Sequence, residues 1–469
     1  MRSAAIGGVA LRRRTLEPAR LRHAHHLQHS LVSTPKTIRP MTATSSHHTT
    51  VTTLANGVRV VVIALPHLAS ACVSVFVRTG SRNESARQNG ISHFIEHMAF
   101  KGTAERTCQQ VNFDAERLGA EVNAHTDKDH TAYHMRGLAE HAGQFVRMLG
   151  DIVRHSTFPE AELERERQVI LHEFAEDEDD ALTLAFNLFD RSCYGTHPLA
   201  QPVIGTRRNI EQLTRADLLG YTQQQYTGAN VVVGVAGHVD ADRIVAEAEA
   251  AFGTMPRGDE HRIAAPDWIG GIRAQRQSGA NQAHVVLGFP MPSRAERCEP
   301  GIVAAALFGE GMSSPLLDQL RERRGLVYHA ACSADVNDLA GQFVIETSTS
   351  PAQLDELVTA VASLLAAQAE EVDAVGLQRA RNQLAVRGLD AQERPFKRLE
   401  EAAQDLFVHG RVRPVEELRA RLEAVTADDV RDAFAAMFAA KPSLAITGQV
   451  RASAKERAQA ALAARFAAH

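Results

Sequence analysis

His93-Phe94-Ile95-Glu96-His97 places two imidazoles one helical turn apart, with a carboxylate directly before the second. Residues four apart on an α-helix share a face, so both rings can bind one metal ion. Glu96 is rotated by about 100° from His97 and can reach a water beside that metal without occupying a ligand position. The order His-x-x-Glu-His is the reverse of the commoner zinc-protease motif.

The surrounding residues predict the helix that must carry it. Asn89 can cap its start and Gly102 can end it. Ile91, Phe94, Ile95, Met98 and Ala99 recur at helical spacing and form an inward stripe, with His93, Glu96 and His97 on the other side. Zinc needs a third protein ligand and an open fourth position. The helical segment Leu163 to Glu173 can supply it: Glu166 and Glu173 are seven residues apart, nearly aligned, and lie beside the stripe of Leu163, Ile170 and Phe174. A surface helix laced with Glu–Arg pairs is the competing reading of that segment.

With Met-Ala-Phe-Lys-Gly-Thr after His97 and a Glu 76 residues beyond it, the pattern resembles the M16 (pitrilysin) metallopeptidases. Within that family it resembles the subgroup of the mitochondrial processing peptidase beta subunit and its bacterial relatives. The resemblance runs from about residue 50 to 450. It implies one Zn²⁺ per chain on His93, His97 and Glu173, Glu96 as general base, and Glu166 as a supporting acidic residue. Leu118 to Thr126 resembles the family's edge strand that pairs with an extended substrate, which makes Asn123 and Ala124 substrate-binding residues. Arg321 and Tyr328 match a pair brought from the second domain to the scissile peptide. The resemblance implies a zinc endopeptidase acting on peptides or unfolded segments, working as a homodimer or as a heterodimer with another M16 chain. A non-catalytic or partner-dependent subunit is the alternative. Where processing peptidases read a substrate arginine with acidic residues ten and fourteen positions past the ligand Glu, this chain has Thr183 and Asn187, which argues against presequence processing.

At 469 residues the chain exceeds one ordinary core and predicts two domains plus a leader. A net charge of −5 gives no reason to expect a nucleic-acid partner, and no apolar run is long enough to span a bilayer. Five widely spaced cysteines without Cys-x-x-Cys argue against a disulfide framework. Residues 1–48 carry eight Lys or Arg against the single acid Glu17. That is the composition of an organelle transit peptide, unless Met41 is the true start. The Ala- and Arg-heavy chain favours a bacterial cytoplasmic protein; a transit peptide would place it in the mitochondrial matrix. On either reading, residues 1–48 are expected to lack structure.

The remainder reads as one unit present twice. Val73 to Glu84 matches His284 to Glu296, Leu163 to Arg167 matches Leu377 to Arg381, and Ala229 to Gly237 matches Lys441 to Gly448, at offsets of 211 to 214. The expected fold is α+β: two homologous domains, 49–260 and 272–469, each a mixed sheet backed by helices and facing each other in a clamshell. In the second copy Glu166 becomes Ala380 and Glu173 becomes Arg387, and no histidine follows Arg294 on its helix, so that copy cannot hold zinc. His125, His130 and His134 fall on two strands joined at Asp127 to Asp129, and are read as a hairpin's polar face ahead of a second metal site.

Overall fold

Runs of β-branched residues build two sheets in this chain, of which a computed structural model describes residues 49–466. The leader expected over residues 1–48 lies outside them. The first sheet contains β1 (Thr49–Thr53), β2 (Arg59–Ala64), β3 (Ser70–Val77), β4 (Glu121–Thr126), β5 (Thr131–Leu138) and β6 (Val231–Gly237), in the order β1-β2-β6-β3-β5-β4. The second contains β7 (Gly271–Arg276), β8 (Ala283–Met291), β9 (Ala330–Val336), β10 (Gly341–Thr349) and β11 (Ser443–Gly448), in the order β7-β11-β8-β10-β9. In each, one parallel pair (β2 with β6, β7 with β11) sits in an otherwise antiparallel ladder. Leaving out β1, the strand orders are the same, as the internal repeat requires.

Six helices position the site and join the two halves: α1 (Ile91–Ala99), α2 (Glu160–Asp179), α3 (Ala181–Tyr194), α4 (Glu299–Gly309), α5 (Ala374–Glu393) and α6 (Pro395–His409). The stripe predicted on α1 is buried: Ile91, Phe94 and Met98 are fully enclosed and Ile95 and Ala99 nearly so. They pack with Val60, Val75, Tyr133 and Val233 on one face of the first sheet. The other face of that sheet (Val61, Ile63, Phe76, Val232) is covered by Leu399, Ala402 and Leu406 of α6, a helix of the second half. The exchange is mutual. Phe189 and Cys193 of α3, in the first half, pack on Val286, Val344 and Ala445 of the second sheet. Residues 256–270 between the sheets hold neither helix nor strand.

The predicted caps of α1 need correction. Asn89 donates its side-chain amide to Glu84 and to the Pro202 carbonyl, 2.9 Å each, and caps nothing. Gly90 is the N-cap, at φ +100, where an added Cβ would come within 2.7 Å of the Ile204 carbonyl oxygen. The first free amides are met instead by the buried Glu84 carboxylate, which accepts from Gly90 N–H and Ser92 N–H at 2.8 Å each. The helix closes at Ala99, before Gly102.

Candidate active site

Helix α1 presents His93, Glu96 and His97 away from its buried stripe, and α2 lies against it with Glu166 and Glu173 on the facing side. Arg167 fixes that contact. Its guanidinium sits 5.4 Å from the Phe94 ring centroid and donates to the carbonyls of Ile210 and Leu213. Seven residues on an α-helix return almost to the same azimuth, so one packed helix delivers both carboxylates.

One donor atom each from His93, His97 and Glu173 falls within 4.8 Å of the others. Glu173 Oε2 lies 3.8 Å from His93 Nε2 and 3.4 Å from His97 Nε2. A tetrahedral zinc with bonds near 2.0–2.1 Å separates its ligand atoms by roughly 3.4 Å, so the residues fit that metal in both type and spacing. Behind His97, Nδ1 is 3.2 Å from Glu166 Oε2, and the other Glu166 oxygen is 2.6 Å from Lys101 Nζ. A carboxylate on the far nitrogen is what orients a metal-binding imidazole.

The charges reflect this packing. Burial, aided by the neighbouring His97, drives the His93 imidazole down to about 3. Burial also opposes a charge on His97, but Glu166 and Glu173 outweigh it and lift that ring to about 9. Burial raises the Glu96 carboxyl against the counter-effects of Thr126 and His97. Glu166 and Glu173 both move below the usual carboxylate range, since His97 (with Lys101 for Glu166) overcomes their burial.

Strand β4 is the outer strand of its sheet. Asn123 is exposed, and its side-chain oxygen accepts the Ala124 N–H at 2.8 Å. Arg321 and Tyr328 are not packed against the histidines. Tyr328 is 82% exposed with the Arg321 guanidinium 5.4 Å from its ring centroid, and Arg321 otherwise reaches Glu322 and Met312. In the second copy, α4 stands where α1 does, Ala380 is fully buried and Arg387 pairs with Glu310 at 3.2 Å. Sequence reasoning missed Glu84 and Lys101. Glu84 closes the repeated stretch, and nothing in its spacing marks it as a cap. Lys101 falls on the helix-exit side of His97 at i+4, a spacing that could have found it.

Residues 59–207 match the family model for insulinase (peptidase family M16), and residues 212–384 match that for the peptidase M16 inactive domain. An uncharacterised zinc protease of Rickettsia felis is 32% identical over 84% of this chain and 96% of its own length. One from Bacillus subtilis is 30% identical over 84% and 97%. Among solved structures, a Helicobacter pylori protease superposes with a TM-score of 0.78 at 21% identity, covering 86% of this chain and 99% of that one. A chain of complex III2 from Candida albicans gives 0.77 at 17%, covering 87% and 99%. These two likenesses are of fold. With relatives of 30% identity or more along most of its length, the chain belongs to peptidase family M16.

Proposed function

We propose that this protein is a zinc-dependent endopeptidase that hydrolyses extended peptides, with residues 49–260 as its catalytic half and 272–469 as a half without zinc ligands. The observation that carries this reading is the convergence of His93 Nε2, His97 Nε2 and Glu173 Oε2, with Glu96 one residue before His97 and Glu166 behind it. His93, His97 and Glu173 would hold one zinc there. Zinc in such a site polarises the scissile carbonyl and lowers the pKa of water at the same centre. Glu96 takes the proton of the attacking water on its carboxylate and returns it to the leaving amine nitrogen. Glu166 holds His97 in the tautomer that points Nε2 at the metal position.

The substrate adds to the open edge of β4, where backbone pairing supplies affinity with little demand on side chains. The Asn123 side-chain carbonyl must leave the Ala124 N–H for that pairing to form. Arg321 and Tyr328 act as donors to the developing oxyanion after a closure that brings their own segment over the α1 site. The exposure of Tyr328 supports a second reading: that closure, and so activity, requires a partner chain, either a second copy or another M16 chain. The Rickettsia felis and Bacillus subtilis relatives are bacterial, and among the described residues no helix is long and apolar enough to cross a membrane. A bacterial cytoplasmic site of action is part of the proposal.

The test is metal analysis and digestion of a peptide library by the purified chain, wild type beside His97→Ala. Loss of one zinc together with cleavage is expected. A His97→Ala protein that keeps its full metal content and cleaves peptides would sink the assignment. Wild type that binds zinc yet cleaves only after a second M16 chain is added would establish the partner-dependent reading.

A further inference from the structure

Alternation along β4 and β5 turns one set of side chains to α1 and the other to α6. Tyr133 and Met135 pack with the α1 core, while Ala132 packs with α6. His130 and His134 share the side of Ala132, and His125 is directly paired with Ala132 across the ladder. The three histidines therefore lie on the opposite face of this hairpin from His93 and His97. There they meet Glu400, which α6 brings from the second half of the chain.

We propose that His125, His130 and Glu400, joined by Asp127, form a second zinc site that fastens the β4–β5 hairpin to α6. One donor atom from each of the four falls within 4.8 Å of the others. Glu400 Oε1 is 3.5 Å from His125 Nε2 and 3.9 Å from His130 Nε2, while its other oxygen is held by Lys397 at 2.6 Å. The decisive group is His130. It is 3% exposed, its Nδ1 is fixed 3.1 Å from Asp129 Oδ1, and its Nε2 is buried without a hydrogen-bond partner. An imidazole with one nitrogen on a carboxylate and the other bare and aimed at further donors is arranged as a metal ligand is. Left empty, that nitrogen is an unsatisfied polar atom in the interior, which folded proteins avoid.

The donor set selects the metal. Two imidazoles with carboxylates suit zinc, and four protein donors leave no open position, so the site is structural and not a second hydrolytic centre. Phe396 and Phe76 wall it: Phe396 lies 5.7 Å from the His125 ring and Phe76 6.0 Å from the His130 ring, centroid to centroid. One donor on β4, two in the turn that follows it and one on α6 make the metal a clasp between the halves. It sits directly behind the strand whose edge is open to substrate. The inference stands apart from the peptidase reading, because it uses none of the residues on the α1 face.

The test uses the full chain, equilibrated with excess zinc, freed of unbound metal by gel filtration and analysed for zinc per chain. His125→Ala and Glu400→Gln are each expected to carry one zinc fewer than wild type. His97→Ala is expected to keep a zinc that His97→Ala/Glu400→Gln lacks, which separates this site from the α1 site whatever happens at the latter. Glu400→Gln preserves volume and α6 packing, so it decides the matter if the histidine variants fail to fold. Zinc should also raise the melting temperature of His97→Ala but not of the double variant. Unchanged zinc content in both His125→Ala and Glu400→Gln, or a His97→Ala protein with no zinc, overturns the proposal.

Discussion

Hydrolysis of a peptide bond moves one proton twice, off water and onto the leaving amine, and two carboxylates near His97 could be asked to carry it. Geometry divides the work between them. Glu166 is committed on both oxygens, to His97 Nδ1 and to Lys101, whereas Glu96, one residue before His97, lies near Thr126 and His125. Glu96→Gln is therefore expected to keep zinc and substrate while turnover falls at least about a hundredfold. Metal analysis and kinetics on one preparation check this, and loss of zinc would make Glu96 a ligand. Glu166→Gln should act through His97 instead. Zinc affinity is expected to weaken by about tenfold to a hundredfold, and excess zinc should restore much of the activity. Competition with a chelator measures the first effect, and a turnover that zinc cannot restore would point to a direct chemical role.

At the scale of elements, α1 owes its position to its ends as much as to its stripe. Glu84 caps it from a fully buried site, and burial lifts that carboxyl to about 7 although Ser92, Asn89 and Gly90 all donate to it. The folded value lies above the unfolded value of about 4.3. The stability this group contributes is thus complete below about pH 4 and is lost as pH rises toward about 7 and beyond. A shift of this size corresponds to about 4 kcal/mol. The melting-temperature advantage of wild type over Glu84→Gln should accordingly shrink between about pH 5 and about pH 8, and an advantage that grows over that range would contradict it. The repeat shows which features serve folding alone. Arg167 and Arg381 each tie their helix to a carbonyl some forty residues on, at Ile210 and Val425. The next helices begin with the same capping box, Thr214 with Asp217 and Thr426 with Asp429. Those devices occur in both copies, but the proposed zinc ligands His93, His97 and Glu173 have counterparts of other chemistry in the second.

Taken whole, the molecule is two repeats that cannot be pulled apart cleanly. The sheet face formed by Val61, Ile63, Phe76 and Val232 is covered by α6 from the other half. Residues 49–260 expressed alone should expose it, bind a hydrophobic dye strongly and aggregate, and co-expression with 272–469 should rescue solubility. A soluble, dye-negative fragment would show that α6 contributes little. The same scale governs Tyr328, which stands in solvent with Arg321. Removing one oxyanion donor typically costs about 2.7–4 kcal/mol of transition-state stabilisation, so Tyr328→Phe should lower turnover far more than affinity, with melting temperature and zinc content unchanged. Unchanged turnover would assign the second half a structural part only.

What depends on neighbours along the chain was legible before any fold was known. Helical spacing puts His93, Glu96 and His97 on one side of a buried stripe, seven-residue spacing aligns Glu166 with Glu173, and repetition at offsets of 211 to 214 implies two sheets of the same strand order. What depends on approach from a distance came from the packing of the folded chain. It selected Glu173 to face both Nε2 atoms and Glu166 to face Nδ1, because that choice turns on how α2 rolls against α1. It replaced the Asn89 cap by Glu84, a residue outside the helix whose carboxylate satisfies two amides at once. It also set Glu400 beside His125 and His130, since a helix some 270 residues downstream crosses to the far face of the first sheet. Local periodicity carries no record of such a crossing, because the contact is driven by burying apolar surface between segments that share no spacing.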